Sequence, residues 1–263
     1  QGQFPDETSE TGEFQRQEDA FRHWVTTDGS TDFALSAGRY HLYVSLACPW
    51  AHRTLIVLTL KGLHSAVGVT VVDPVRDERG WAFRDGPGHS HDPINGFHFL
   101  SEAYLATAPG YRGRFTVPVL WDKETRRIVN NSEDDICRMF DGVFAPLGRS
   151  AVALFPPELE AEQAMLAREI YEHVNNGVYR AGFATKQPAY ERACRGVFAR
   201  LDRCDEILAT QRFLLGPRAV EVDWRLFCTL VRFDAVCHGH FECNLRRIVD
   251  YPGRNGLLLD LYK

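Results

Sequence analysis

The sequence predicts an α/β unit followed by an all-helical one. An apolar, β-prone run, Tyr40-His41-Leu42-Tyr43-Val44-Ser45-Leu46, passes through Cys48-Pro49 into a helix-like run from Thr54 to Lys61 that stops at Gly62. A buried-strand run, Val67-Gly68-Val69-Thr70-Val71-Val72, follows, which makes a βαβ unit with an expected right-handed crossover. Beyond a Pro- and Gly-containing linker from Gly142 to Pro157, helical periodicity dominates: Glu158 to Val174, Tyr190 to Leu208, Asp223 to Ala235 and Arg254 to Tyr262. A chain of 263 residues has room for both units. The expected boundaries are an extension over 1–37, an α/β domain over 38–145 and a helical domain over 146–263.

Residues 1 to about 20 are polar and acidic, with little periodicity. They are expected to form an extended arm, pinned by Phe14, Phe21 and Trp24. The strand from Tyr40 delivers Cys48 to a helix N-terminus, where Pro49 suits the first helical position because its missing N–H has no partner to lose there. The positive helix end favours a thiolate, so Cys48 is expected to have a depressed pKa and to act as a nucleophile. This is a thioredoxin-like site, but Ala51 stands where a second cysteine would complete Cys-x-x-Cys. Cys48 is therefore expected to form a mixed disulfide with an external thiol. His52, on the same helix, reads as a packing residue more than a base.

The stretch from Asp73 to Arg112 is rich in Gly, Pro, Asp and His. So long an irregular segment suggests work at the site. Within it, Ser101 to Thr107 is expected to form a short helix. Thr116-Val117-Pro118-Val119-Leu120-Trp121 reads as a loop entering a strand, with Pro118 in the position of the cis-proline that faces the active-site cysteine in thioredoxin-like folds. A turn at Asp122 to Thr125 leads to a strand over Arg126 to Asn130. Ser132 and Asp135 match a capping box for a helix running to about Phe140. Trp224, Phe227, Cys228, Val231 and Ala235 predict one buried face in the third late helix.

The net charge of −5 disfavours a general nucleic-acid or anionic-membrane surface. The apolar run Leu55 to Leu60 is far short of the ~20 residues of a membrane span. An odd count of 7 cysteines at irregular spacing, with no signal-like start, suits a reducing, cytoplasmic compartment. The chain begins at Gln1, which reads as a processed or incomplete N-terminus. Cys237, His238, His240 and Cys243 lack ordinary zinc-ligand spacing, so no metal is expected. Cys137, Cys194, Cys204 and Cys228 read as small core residues in helices.

This layout resembles the glutathione-transferase fold, and several motifs in order resemble its Xi class, the glutathionyl-hydroquinone reductases. They are Cys48-Pro49-Trp50-Ala51-His52-Arg53, Trp81-Ala82-Phe83 with Asp85-Gly86-Pro87-Gly88, Thr116 to Asp122, Asn175-Asn176-Gly177-Val178-Tyr179, and Leu230 to Ala235 with His238-Gly239-His240-Phe241. The resemblance implies reduction of glutathionyl-hydroquinones through a Cys48 mixed disulfide, with glutathione as co-substrate, aromatic quinol conjugates as partners and a homodimer as assembly. The glutathione-binding residues it implies are Trp81, Arg114, Val117, Pro118, Ser132 and Glu133. Tyr179 is implied in the substrate pocket. Alternatives on the same fold are another thioltransferase, a dehydroascorbate reductase or a non-catalytic ligand-binding module.

There are departures from the family pattern. The helix expected at Ser132 opens Ser132-Glu133 where the family has Glu-Ser, and Asp134 and Asp135 follow. Such an acidic turn suits the helix dipole but repels a ligand carboxylate, which makes another low-molecular-weight thiol, such as a sugar-based one, the alternative co-substrate. Val220-Glu221-Val222-Asp223 keeps the acid of the family's Thr-x-x-Asp cap and loses the hydroxyl. The family continues past Lys263 into His-Ile-Lys-x-His-Tyr-Tyr, so the helical half is expected to be truncated and short of a pocket tyrosine.

Overall fold

The computed structural model describes residues 7–262. The first six residues of the expected arm lie outside them. The chain forms two compact units. One spans Glu18–Ala153, and the other combines the chain from Leu154 onward with the arm up to Gln17.

In the α/β unit, β1 (Tyr40–Val44), α1 (Pro49–Leu60), β2 (Val67–Val71), α2 (Leu100–Thr107), β3 (Val119–Asp122), β4 (Arg127–Asn130) and α3 (Glu133–Asp141) follow in order. The sheet order is β2-β1-β3-β4. β1 pairs parallel with β2 and antiparallel with β3, which pairs antiparallel with β4. As an inner strand β1 is buried along its whole length, which explains its continuous apolar run where a half-exposed strand would alternate. The strand ends at Val44, short of the predicted Leu46, which is exposed in the turn before Cys48. Irregular backbone after β2 is organised by buried Asp92. Its carboxylate accepts the N–H groups of Ile94, Asn95 and Phe97 and the Tyr43 hydroxyl.

The helical unit contains α4 (Glu160–Ile170), α5 (Gly177–Gly182), α6 (Gln187–Leu208), α7 (Glu221–Arg232) and α8 (Pro252–Tyr262). Two π-helical turns, Tyr171–Asn175 and Phe233–Cys237, interrupt what periodicity suggested were continuous helices. The predicted apolar face of α7 is corrected in part. Phe227 and Cys228 are buried and Trp224 and Val231 half-buried as expected, but Ala235 is exposed, and Val222, Leu226, Leu230 and Phe233 enter the helical core from another side. Because α7 is buried on nearly every side, its apolar residues do not single out one face. Of the expected pins, Phe14 packs on Phe183 with ring centroids 5.1 Å apart, and Phe21 packs on Tyr104 and Tyr111. Trp24 is exposed. Among the described residues no helix is long and apolar enough to cross a membrane.

The α7 cap forms without a hydroxyl. Asp223 accepts the N–H groups of Val220 at 3.0 Å and Leu214 at 2.8 Å, while its own N–H donates to the Val220 carbonyl. Burial pushes this carboxyl up to about 6 from 3.8, against the pull of those hydrogen bonds. The folded chain thus holds a proton that the unfolded chain releases. The resulting stabilisation is complete below pH about 4 and is lost as pH rises through about 6. We expect the stability of the parent relative to Asp223→Asn to fall by on the order of 3 kcal/mol between those limits, measured by denaturant unfolding across pH. A flat difference would contradict this.

Candidate active site

Cys48 is the N-cap of α1, with extended backbone (φ −90°, ψ 119°), and Pro49 is the first helical residue. Its side chain makes no cap hydrogen bond, and no acidic residue stands in the first turn to oppose a thiolate. The half-buried thiol donates instead to the Val117 carbonyl at an Sγ–O distance of 3.6 Å. The Val117–Pro118 bond is cis, as the sequence position of Pro118 predicts.

The loop carrying that carbonyl is held from behind. The buried Tyr104 hydroxyl donates to the Thr116 carbonyl at 2.8 Å and accepts the Thr116 N–H at 3.1 Å. Asn131 donates to the same hydroxyl at 3.2 Å. Burial pushes the Tyr104 phenol pKa upward, so it remains a neutral hydrogen-bonding group. Tyr104 and Asn131 escaped sequence reasoning because neither stands in a thiol-site motif.

The carboxylates at the start of α3 are paired with two arginines. Buried Arg53, on α1, pairs with Glu133 at 3.3 Å and also with Asp134. Arg22 grips Asp135 with Nη2–Oδ1 at 2.6 Å and Nε–Oδ2 at 2.7 Å, and Asn130 donates to Asp135 as well. This corrects two expectations. Asp135 serves Arg22 and Asn130 rather than a capping box, and Ser132 makes no side-chain cap bond. The first-turn carboxylates are also paired, so they do not form a bare negative patch.

These contacts join Cys48 to Val117 and α1 to Glu133 beside Ser132. Trp81 is half-buried, with the Arg76 guanidinium 5.9 Å from its ring centroid, and its carbonyl accepts the Leu100 N–H. Arg114 is half-buried, and its carbonyl accepts the Tyr111 hydroxyl at 2.9 Å. Tyr179 belongs to the helical unit, on α5. Its ring lies 5.0 Å from Phe241, 6.0 Å from Phe183 and 4.7 Å from the Arg16 guanidinium. Among the described residues no group of His, Cys, Asp and Glu could hold a metal ion.

Residues 47–143 match the glutathione S-transferase N-terminal domain family and residues 187–254 the C-terminal domain family. The chain is 48% identical over 265 residues to "Glutathionyl-hydroquinone reductase YqjG" of Escherichia coli K12, covering 98% of this chain and 81% of that protein. It superimposes on the glutathione-bound YqjG structure with a TM-score of 0.89, covering 93% and 82% of the two chains at 49% identity. The glutathione-S-transferase Xi of Phanerochaete chrysosporium gives a TM-score of 0.92 at 46% identity, covering 95% and 85%.

The chain belongs to the Xi-class glutathione transferases. It has the glutathione-transferase fold, with a mixed-sheet, thioredoxin-like domain and a helical one. Within this Xi-class chain the Ser132-Glu133 order stands beside Arg53 and Arg22, which offset its added acidity.

Arg53→Met should destabilise the α/β unit by about 2–4 kcal/mol, because it removes the buried guanidinium that pairs with Glu133 and Asp134. Adding Glu133→Gln and Asp134→Asn to that variant should restore part of the loss. A triple variant no more stable than the single one in denaturant unfolding would show that charge balance is not what Arg53 supplies.

Proposed function

We propose that this chain reduces glutathionyl-hydroquinones to hydroquinones, with Cys48 as nucleophile and glutathione as co-substrate. The observation that carries this reading is Cys48 at the N-terminus of α1 against the Val117 carbonyl, in a chain 48% identical to a glutathionyl-hydroquinone reductase. The helix end favours the thiolate, the form that attacks sulfur. That thiolate attacks the thioether sulfur of the conjugate. A Cys48–glutathione disulfide forms, the ring carbon–sulfur bond breaks, and the ring carbon keeps the electron pair and takes a proton. A second glutathione thiolate attacks the mixed disulfide, releasing oxidised glutathione and the Cys48 thiolate. The conjugate is reduced by two electrons, and two glutathionyl sulfurs leave as one disulfide.

Each bound group has a counterpart in this reading. Trp81 covers the glutathione, and Arg114 pairs with one of its carboxylates. Val117, held by cis-Pro118, offers backbone groups to the cysteinyl unit as an added strand would. The N-terminus of α3 at Ser132 holds the γ-glutamyl carboxylate, beside Glu133 with its charge met by Arg53. Tyr179 hydrogen-bonds a quinol oxygen. The setting is a reducing cytoplasm, consistent with seven cysteines that are all thiols, and the working form is a homodimer that clears quinone conjugates.

Cys48→Ser should lower turnover of a glutathionyl-hydroquinone by more than about a thousandfold while glutathione affinity stays within a few-fold. Intact mass of the parent after single turnover should show one glutathionyl group, mapped to Cys48. Turnover of dehydroascorbate or aliphatic disulfides without the aromatic conjugate would overturn the substrate assignment. A parent that binds glutathione and turns over nothing would be a ligand-binding module.

A further inference from the structure

The geometry points to Arg16, on the N-terminal arm, as a positioning residue for Tyr179 in the proposed reduction of aromatic conjugates. This rests on the reading above, in which Tyr179 meets the quinol ring. Arg16 Nε donates to Asn176 Oδ1 at 2.8 Å, and its guanidinium carbon stands 4.7 Å from the Tyr179 ring centroid. It lies 5.6 Å from the ring of Phe14, which is buried against Phe183. The arm is fastened just ahead of this point. The Thr185 N–H donates to the Gly12 carbonyl at 3.0 Å, Lys186 Nζ to the Glu10 carbonyl at 2.7 Å, and Arg192 pairs with Glu13 at 2.8 Å.

The tyrosine is held from its other contacts too. Phe241 packs 5.0 Å from its ring, and a Cβ at Gly182 would stand 2.2 Å from Phe241, so that position must stay bare. Asn175, two residues before α5, donates to the Arg225 carbonyl and the Thr229 hydroxyl of α7. With the phenol fixed in this way, Arg16 adds something packing alone does not, a permanent positive charge over an aromatic face. When a proton moves from a quinol hydroxyl to the ring carbon ahead of cleavage, the electron pair of the breaking carbon–sulfur bond enters the ring π system and spreads negative charge onto its quinol oxygens. A cation fixed beside the tyrosine that receives such an oxygen stabilises that charge as it develops, without reorganisation. Arg16 thereby acts through Tyr179 and not on the sulfur.

This role is selective for the aromatic leaving group, and the test uses that selectivity. In the full chain, Arg16→Gln should lower kcat for a glutathionyl-hydroquinone about tenfold more than it lowers kcat for glutathione-dependent reduction of a hydroxyethyl disulfide, which has no ring. KM for glutathione should stay within about twofold of the parent. Across conjugates of graded ring acidity, kcat should depend more steeply on leaving-group acidity in Arg16→Gln. Arg16→Lys, which keeps the charge, should recover much of the loss. If Arg16→Gln unfolds, the same ratio and slope measured in Arg16→Met, which also removes the charge, decide the matter. Equal losses on both substrates, or no loss on the aromatic one, would overturn the role of Arg16 while leaving the proposed function standing. A parent that reduces the disulfide and not the conjugate would overturn the proposed function itself.

Discussion

The contact between Cys48 Sγ and the Val117 carbonyl is the constraint on which the α/β unit depends. Its two ends arrive from neighbouring strands. β1 and β3 are antiparallel, and Tyr43 stands opposite Val119. Chain leaving β1 forward reaches Cys48, and chain leaving β3 backward reaches Pro118 and Val117, so one register brings both to the same end of the sheet. A shift of one residue would turn every side chain of these strands to the other face. The register is held by burial: Tyr40, Leu42, Tyr43 and Val44 on β1 and Val119, Leu120 and Trp121 on β3 are almost wholly removed from water. Tyr104 then fixes the loop before β3 by engaging both backbone groups of Thr116.

A second constraint is electrostatic. α1 and α3 both begin at the thiol side of the sheet, and the turn that opens α3 carries Glu133, Asp134 and Asp135. Unopposed, such a turn would disfavour both a thiolate nearby and an anionic ligand. Arg53 comes from the helix that Cys48 caps, and Arg22 comes from the arm segment that bridges to Asn130. The motif Cys-Pro-Trp-Ala-His-Arg therefore contains both Cys48 and a cation that offsets charge at the neighbouring helix start. Ligand-bound YqjG, on the same fold, makes glutathione the co-substrate to test before a sugar-based thiol.

How much of this was legible in the sequence follows from how local each signal is. The strand–Cys48–helix unit could be read because an apolar run, a proline at a helix start and a glycine stop are all local. Pro118 could be placed because its role is tied to the start of a strand. Charge pairing could not: Arg22 lies 113 residues from Asp135, and Arg53 lies 81 from Asp134. The acidic turn therefore looked unbalanced when read alone. The buried face of α7 was read only in part for a different reason, since a helix enclosed on most sides has no single apolar stripe to find. Both π-helical turns were missed because an added residue in a turn leaves no mark in composition.

The run Asn175-Asn176-Gly177-Val178-Tyr179 shows how motif and packing combine. Asn175 closes a π-helical turn and ties it to α7. Asn176 receives Arg16 from the arm. A Cβ on Gly177 would stand 3.1 Å from Val197, so a side chain there would crowd α6. Val178 enters the helical core, which leaves Tyr179, one residue on, outside that core but packed against it. Each residue before the tyrosine thus removes a freedom that the phenol would otherwise have. In the proposed reaction such a fixed phenol is an advantage, because orientation settled by folding does not have to be found again at each turnover.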